Sequence, residues 1–155
     1  ISSASLHPGC PMQVMSKANS RLLIGLQSPD TLESLQPDMD ALIHLTPHVG
    51  ADGFFVFAVK PGSDPVTTES RMFCPVIGVP EDPVSGNAHG MLGVYMLSNG
   101  LLTAANGKAN FVGHQGRFVD RPGRVEVRVA CSGKRATGVR VTGDAVIVCE
   151  AVIPL

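Results

Sequence analysis

The chain has 155 residues, of which 44% are hydrophobic and 16% charged, and its formal net charge at pH 7 is −1. This size fits one folded domain with its own core, and only 12 Lys and Arg argue against nucleic acid as a partner. No apolar run could cross a membrane and no signal peptide precedes the first elements, so we expect a soluble, cytoplasmic protein without a membrane partner.

The first third of the chain predicts a hairpin followed by a helix. Apolar stretches at 12–15 and 22–26 have the composition of strands, and the turn-forming residues 17–20 lie between them. Further on, Asp38 is a typical N-cap and Gly50 a typical C-terminal stop, so we expect a helix between them.

The middle third predicts two strands and an enclosed helix. The apolar run 54–59 fits a buried strand, and residues 69–77 fit an extended segment in which Pro75 implies an edge or a bulge. Apolar side chains then cover nearly the whole circumference of a helix at 86–98, which indicates that other elements surround it.

The last third predicts a meander of strands at 109–112, 124–130, 138–142 and 145–153, with a tight turn at 142–144 between the last two. No β-α-β alternation recurs along the chain. We therefore expect an α+β fold in which a mixed or antiparallel, strongly curved, barrel-like sheet wraps around the central apolar helix.

The segment 81–90, Glu-Asp-Pro-Val-Ser-Gly-Asn-Ala-His-Gly, places a carboxylate on a stiff turn directly before this helix. Pro83 fixes its own φ and favours an extended Asp82, while Gly86 lets the backbone approach a ligand closely. The first amides of a helix have no partner inside it and lie at the positive end of its dipole. The turn therefore predicts an acid/base group beside a binding site for an anionic substrate group.

Residues 71–90 resemble the second-half signature of the phenazine-biosynthesis-type (PhzF-like) isomerase family, and the YddE-like bacterial branch is the most similar. Segments 51–57 and 113–117 support the resemblance in the same order. Members of this family consist of two similar halves with a diaminopimelate epimerase-like fold, and the active site lies in the cleft between them. The resemblance implies that 1–155 is a single domain, the C-terminal half of such a protein, without its N-terminal half; the start at Ile1 also suggests a fragment.

The resemblance implies a catalytic role for Asp82 and substrate binding by Gly86, Asn87, Ala88 and His89. Asn87 stands where many members have serine, so the substrate is left open. The family's principal proton carrier is a glutamate of the first half, so this chain alone should be catalytically incomplete. The implied activity is cofactor-independent proton transfer on a small molecule that bears a carboxylate or a conjugated group. The resemblance also implies a homodimer and a cleft completed by an N-terminal half-domain, either of the same protein or of a second chain.

Several of these residues also have purely structural interpretations. Asp82 could cap the helix or pair with Arg71, because Asp-Pro-x-x-Gly is a common turn composition. His89 could be a core histidine bonded to a backbone carbonyl. His114 and Gln115 are secondary candidates, which lie either in a loop facing the cleft or in an ordinary turn.

Metal ligands and reactive thiols have weak support. His44 and His48 have a zinc-like spacing but no His-Glu-x-x-His arrangement, so we expect no metal. The four cysteines form no Cys-x-x-Cys pair and are expected to be reduced and mostly buried. Cys74 is the exception to consider, because related epimerases use cysteines as proton carriers.

Other functions remain open on the sequence. One is racemisation or epimerisation of a small amino acid-like substrate. The others are a catalytically silent module that binds a small carboxylate at the helix start, and an interaction module whose apolar face contacts another protein.

Overall fold

The computed structural model describes residues 1–15 and 19–152 and confirms the expected α+β class. Within these residues the chain forms eight strands and three α-helices. In chain order they are β1 Gln13–Met15, β2 Arg21–Leu26, α1 Pro29–Glu33, α2 Met39–Val49, β3 Gly53–Lys60, β4 Thr67–Cys74, β5 Val79–Asp82, α3 Gly86–Ser98, β6 Lys108–Gln115, β7 Gly123–Ser132 and β8 Arg135–Gly143.

All strands belong to one mixed sheet in the order β1-β2-β3-β4-β6-β7-β8, and β5 pairs with β4. The pairs β2–β3 and β4–β6 are parallel, and the others are antiparallel. The sheet curves around α3, which contacts β6, β7 and β8. None of the helices in the described part of the chain is long and apolar enough to span a membrane.

The two faces of the sheet carry separate apolar clusters, because side chains alternate along each strand. The face toward α3, called the inner face here, buries large side chains that include Leu23, Phe55, Phe57, Met72 and Phe111. The opposite, outer face packs against α1 and α2 and includes Ile24, Phe54, Val56 and Phe73. A residue's place in the strand alternation therefore decides which cluster it joins.

The central helix α3 has the predicted bounds. Ser85 is its N-cap, and the buried side chains lie on several sides of the helix, as the sequence indicated. Gly93 permits close approach of the sheet, because a Cβ there would lie 2.9 Å from methyl carbons of both Val127 and Val129. The prediction of an enclosed helix is confirmed.

The predicted hairpin and second helix are also confirmed. β1 and β2 pair antiparallel, although Lys17 and Ala18 of the predicted turn lie outside the described residues. The Asp38 carboxylate accepts a hydrogen bond from the Ala41 amide at the start of α2, and Gly50 ends the helix with φ 67°. Local capping signals thus fixed both ends of this helix.

Two predicted segments differ from the structure. The extended segment stops at Cys74, where the register of β4 shifts and a 3-10 turn, Pro75–Ile77, begins. The predicted strand at 145–153 and the turn before it are wrong for the described residues: β8 continues to Gly143, and 144–152 form neither helix nor strand. The valines and isoleucine of this tail are at least 85% exposed, so its β-forming composition has no apolar surface against which to pack.

Candidate active site

Asp82 lies on the inner face at the end of β5. Its cross-strand partner is Met72, a member of the inner cluster, and directly paired residues point to the same side of a sheet. The preceding residue, Glu81, points to the outer face and pairs with Arg71 through two contacts, of 2.9 and 2.8 Å. The interpretation of Asp82 as the partner of Arg71 is therefore wrong.

The carboxylate of Asp82 is unengaged. Ser85 rather than Asp82 caps α3, since its Oγ accepts the Ala88 amide at 3.2 Å. Among residues 1–15 and 19–152, no hydrogen bond or ion pair involves the Asp82 side chain, which is half-buried. The Asp82 carboxylate thus lies beside the start of a helix and makes no stabilising contact with the described residues.

Two amides at the start of α3 are also without an acceptor in the described part of the chain: those of Gly86 and Asn87. The next amide, of Ala88, is used by the cap, and the amide of His89 donates to the Ser85 carbonyl at 3.1 Å. Ala88 itself is fully buried. Of the predicted substrate-binding residues, Gly86 and Asn87 thus have donors to offer, whereas Ala88 has none.

Gln115 holds the turn between Asp82 and Ser85 in place. It is 1% exposed, its Nε2 donates to the Asp82 carbonyl, and its Oε1 accepts the Ser85 amide at 3.2 Å. The residue ends β6 and does not belong to a loop facing the cleft. It positions the turn through the main chain, a role for which the sequence contains no local signal.

His114 does not face the cleft. It lies inside β6 rather than in a loop, and its partners in the sheet are Glu69 and Arg124. It directly follows the inner-facing Gly113, where the ring of His89 occupies the space of a side chain, so His114 points to the outer face. The prediction of a cleft-facing loop is wrong at this position.

His89 is a core histidine in this structure. Its exposed fraction is 0%, its Nδ1 lies 2.7 Å from the Ser85 carbonyl oxygen and so donates to it, and its Nε2 lies 3.4 Å from Ser70 Oγ. The ring meets Phe55 edge-on. Burial lowers the pKa of His89 from 6.5 to about 4, against the opposing effect of the Ser85 hydrogen bond. The ring is therefore neutral at pH 7 and is not accessible to a ligand.

This buried histidine predicts that the protein loses stability as the pH falls from 6.5 to about 4. Because the pKa of His89 is lower in the folded protein, unfolded chains bind more protons in this range and are favoured by acid. The free energy of unfolding should fall by about 3 kcal/mol across it. Urea unfolding at several pH values measures the loss, and a His89→Gln variant with an equally steep dependence would contradict the assignment.

Two hollows meet at Gly86. One, of about 380 Å³, is also lined by Met15, Asn87, Gly90 and Val141. The other, of about 830 Å³, lies on the side of Pro83 and of residues 121–125 at the start of β7. Both volumes suit a small molecule. Asp82 lines neither of these two hollows, so a hollow that it shares with the amides stays a prediction.

The other candidate groups do not assemble into a second site. Cys10 and Cys74 are buried, Cys131 is partly buried and Cys149 is exposed, and all four thiols are unpaired. Burial raises the pKa of Cys74, which keeps its thiol protonated at neutral pH. Within the residues that the structure describes, no three His, Cys, Asp or Glu side chains are grouped to hold a metal ion.

Comparisons with known proteins show which proteins this chain resembles. The family model described as "Phenazine biosynthesis-like protein" matches residues 1–151. The uncharacterized isomerase YddE of Escherichia coli is 37% identical over 93% of this chain and 48% of its own length. The trans-2,3-dihydro-3-hydroxyanthranilate isomerase of Pseudomonas aeruginosa is 28% identical over 86% of this chain and 44% of its own.

Solved structures show the same fold. A PhzF-family phenazine biosynthesis protein of Bacillus anthracis superposes with a TM-score of 0.67 at 21% identity, over 92% of this chain and 51% of that one. A protein of Pseudomonas aeruginosa described as a "predicted epimerase" gives a TM-score of 0.56 at 28% identity, over 92% and 47%. The chain spans about half the length of the curated relatives it matches.

Proposed function

Because the chain belongs to the family of phenazine biosynthesis-like proteins, we propose that it is the C-terminal half of a cofactor-independent isomerase. The reaction is a proton transfer at a carbon next to a carboxylate or a conjugated group of a small molecule. Its site is the cleft that this half forms with an N-terminal half-domain.

One observation carries the proposal: within residues 1–15 and 19–152, an unengaged carboxylate precedes a helix whose first two amides have no acceptor. In this part of the chain the Asp82 side chain makes no hydrogen bond or ion pair, and Gly86 and Asn87 present their N–H groups within the next few residues. Such a pairing of an acid with free amides matches what proton transfer beside a carboxylate requires. The isomerase names of the relatives support the same class of reaction.

In the proposed mechanism, a base from the N-terminal half removes the proton from the substrate carbon and returns it at another carbon. The electron pair of the broken C–H bond spreads into the conjugated group, and negative charge collects on its oxygens. The amides of Gly86 and Asn87 stabilise this charge, while Asp82 orients the substrate or shares the moving proton. Closure of the two halves excludes water and strengthens these contacts.

Epimerisation is the second candidate, and the structural similarity to the "predicted epimerase" of Pseudomonas aeruginosa favours it. An epimerase removes a proton from one face of a carbon and returns one to the other face. It would use the same acid and amides but would give no shift of a double bond.

Solvent-isotope exchange separates these outcomes. In the protein with both halves, trans-2,3-dihydro-3-hydroxyanthranilate should be converted into an isomer with a shifted double bond, and any deuterium taken up from D₂O should appear at a carbon other than the one that loses its proton. Deuterium incorporated at the original carbon, with inversion, would favour epimerisation. A substrate that binds at Gly86 and Asn87 but undergoes neither isomerisation nor exchange of a C–H bond would indicate a binding module and overturn the isomerase.

A further inference from the structure

A buried arginine on the inner face has no counter-charge in the described part of the chain. Arg21 begins β2, is 7% exposed, and lies two residues before Leu23 of the inner cluster, so it points to the same face. Its Nη1 donates to the Ser20 carbonyl at 2.8 Å, whereas its buried Nε has no partner in the described chain. No carboxylate of these residues lies within ion-pairing distance of it.

The acid beside the cross-strand partner of Arg21, Asp52, is otherwise engaged. The Asp52 carboxylate accepts the amide and the hydroxyl of Ser20, at 2.8 and 3.2 Å. A buried cation with an unused donor is costly for a fold unless something supplies the missing acceptor. The arrangement therefore calls for an anion that this part of the chain does not contain.

The position of Arg21 connects it with the candidate active site. Its cross-strand neighbour on one side is Met15, which lines the smaller hollow together with Gly86 and Asn87. Its neighbour on the other side is Gly53, and a Cβ at Gly53 would overlap the Cys74 sulfur and lie 3.3 Å from Arg21 Cδ. The missing side chain at position 53 thus leaves the space that the arginine and the thiol occupy.

Strand pairing brings both charged groups near Cys74. Gly53, the cross-strand neighbour of Arg21, adjoins the Cys74 sulfur, and Asp82 lies on β5, which pairs with the end of β4 that carries Cys74. Besides the larger effect of burial, the positive charge of Arg21 lowers the pKa of Cys74 and the negative charges of Asp82 and Asp52 raise it. The acid, the two free amides and the cation belong to one end of the sheet, beside the start of α3.

We propose that Arg21 is a substrate-binding residue, which holds a carboxylate of the ligand from the sheet side while the amides of Gly86 and Asn87 hold a second oxygen. This inference rests on the proposed function and narrows its substrate to molecules with a carboxylate and another polar group. A guanidinium suits this task because its planar fork matches a carboxylate.

The test compares two probes that differ only in charge, anthranilate and 2-aminobenzamide. Calorimetric titration of Arg21→Gln should show anthranilate binding weakened by at least about tenfold, with 2-aminobenzamide unchanged. Arg21→Lys keeps the positive charge but removes the planar guanidinium. This variant should therefore lose part of the preference for anthranilate over 2-aminobenzamide. Arg135→Gln removes an exposed arginine of β8 and should behave as the wild type.

Thermal unfolding gives an independent readout. Without ligand, Arg21→Gln should unfold at the same or a higher temperature, because an uncompensated buried charge is removed. Anthranilate should raise the unfolding temperature of the wild type but not of this variant.

Three results would overturn the inference. The first is that the wild type fails to bind anthranilate in the millimolar range. The second is an unchanged ratio of the two dissociation constants in both Arg21 variants. The third is that Arg21→Gln binds both probes equally more weakly and unfolds at a lower temperature than the wild type. This would mean that Arg21 pairs with an acid of the protein. By contrast, turnover retained in an Asp82→Asn variant would count against the proposed function. That result would not change the ratio of the dissociation constants for anthranilate and 2-aminobenzamide.

Discussion

Replacement of Asp82 by asparagine is expected to abolish turnover in the protein with both halves while the fold stays intact. The amide has the size of the carboxylate but cannot take part in proton transfer, and loss of an acid/base group typically lowers kcat by about 10²- to 10⁴-fold. The fold should tolerate the change because Gln115 holds this residue through its carbonyl oxygen and not through its side chain.

Steady-state rates and a circular dichroism melting curve measure the two parts of this prediction. Asp120→Asn is a matched control, since it removes one exposed carboxylate from the loop after β6. Asparagine also tolerates the positive φ of 56° at that position. Wild-type rates in the Asp82 variant would refute the assignment of this residue.

Replacement of Gly116 by alanine should destabilise the protein by about 3 kcal/mol or more. Its φ of 88° is unfavourable for any side chain, and a Cβ there would overlap the carbonyl oxygens of Arg121 and Pro83. Since both obstacles are backbone atoms, a rotamer change cannot relieve them. The substitution must displace either the loop at 117–122 or the turn that carries Asp82.

Gly133→Ala separates the two causes, because Gly133 has a φ of 59° but nothing within 4 Å of a Cβ. It should cost only the conformational penalty, about 1 kcal/mol. Urea unfolding of the two variants gives the difference. An equal decrease in the free energy of unfolding in both variants would show that the overlap at Gly116 is relieved without an energetic cost.

Short-range signals made much of the fold predictable. The limits of α3 follow from its apolar circumference and from the residues at its two ends, and those of α2 from Asp38 and Gly50. The antiparallel pairing of the last strands followed from the alternation in β7. Each of these features depends on residues that are neighbours in the sequence.

The parts that were missed depend on register and on distant contacts. Gln115 binds a turn that lies about thirty residues earlier, and only the β4–β6 pairing brings the two together. The same register sends His114 to the other side of the sheet. Arg21, which directly precedes the predicted strand 22–26, carries no signal in the sequence, because burial without a counter-charge is a property of the folded chain.

The two adjacent acids of β5 point in opposite directions, and the bidentate contact of Glu81 with Arg71 keeps them so. A slip of β5 by one residue would exchange them, bringing Glu81 toward α3 and Asp82 toward Arg71. The Arg71 guanidinium on the outer face thus fixes the alignment of β5 with β4. Loss of the Glu81–Arg71 pair would therefore displace the proposed acid Asp82 through a change on the opposite face of the sheet.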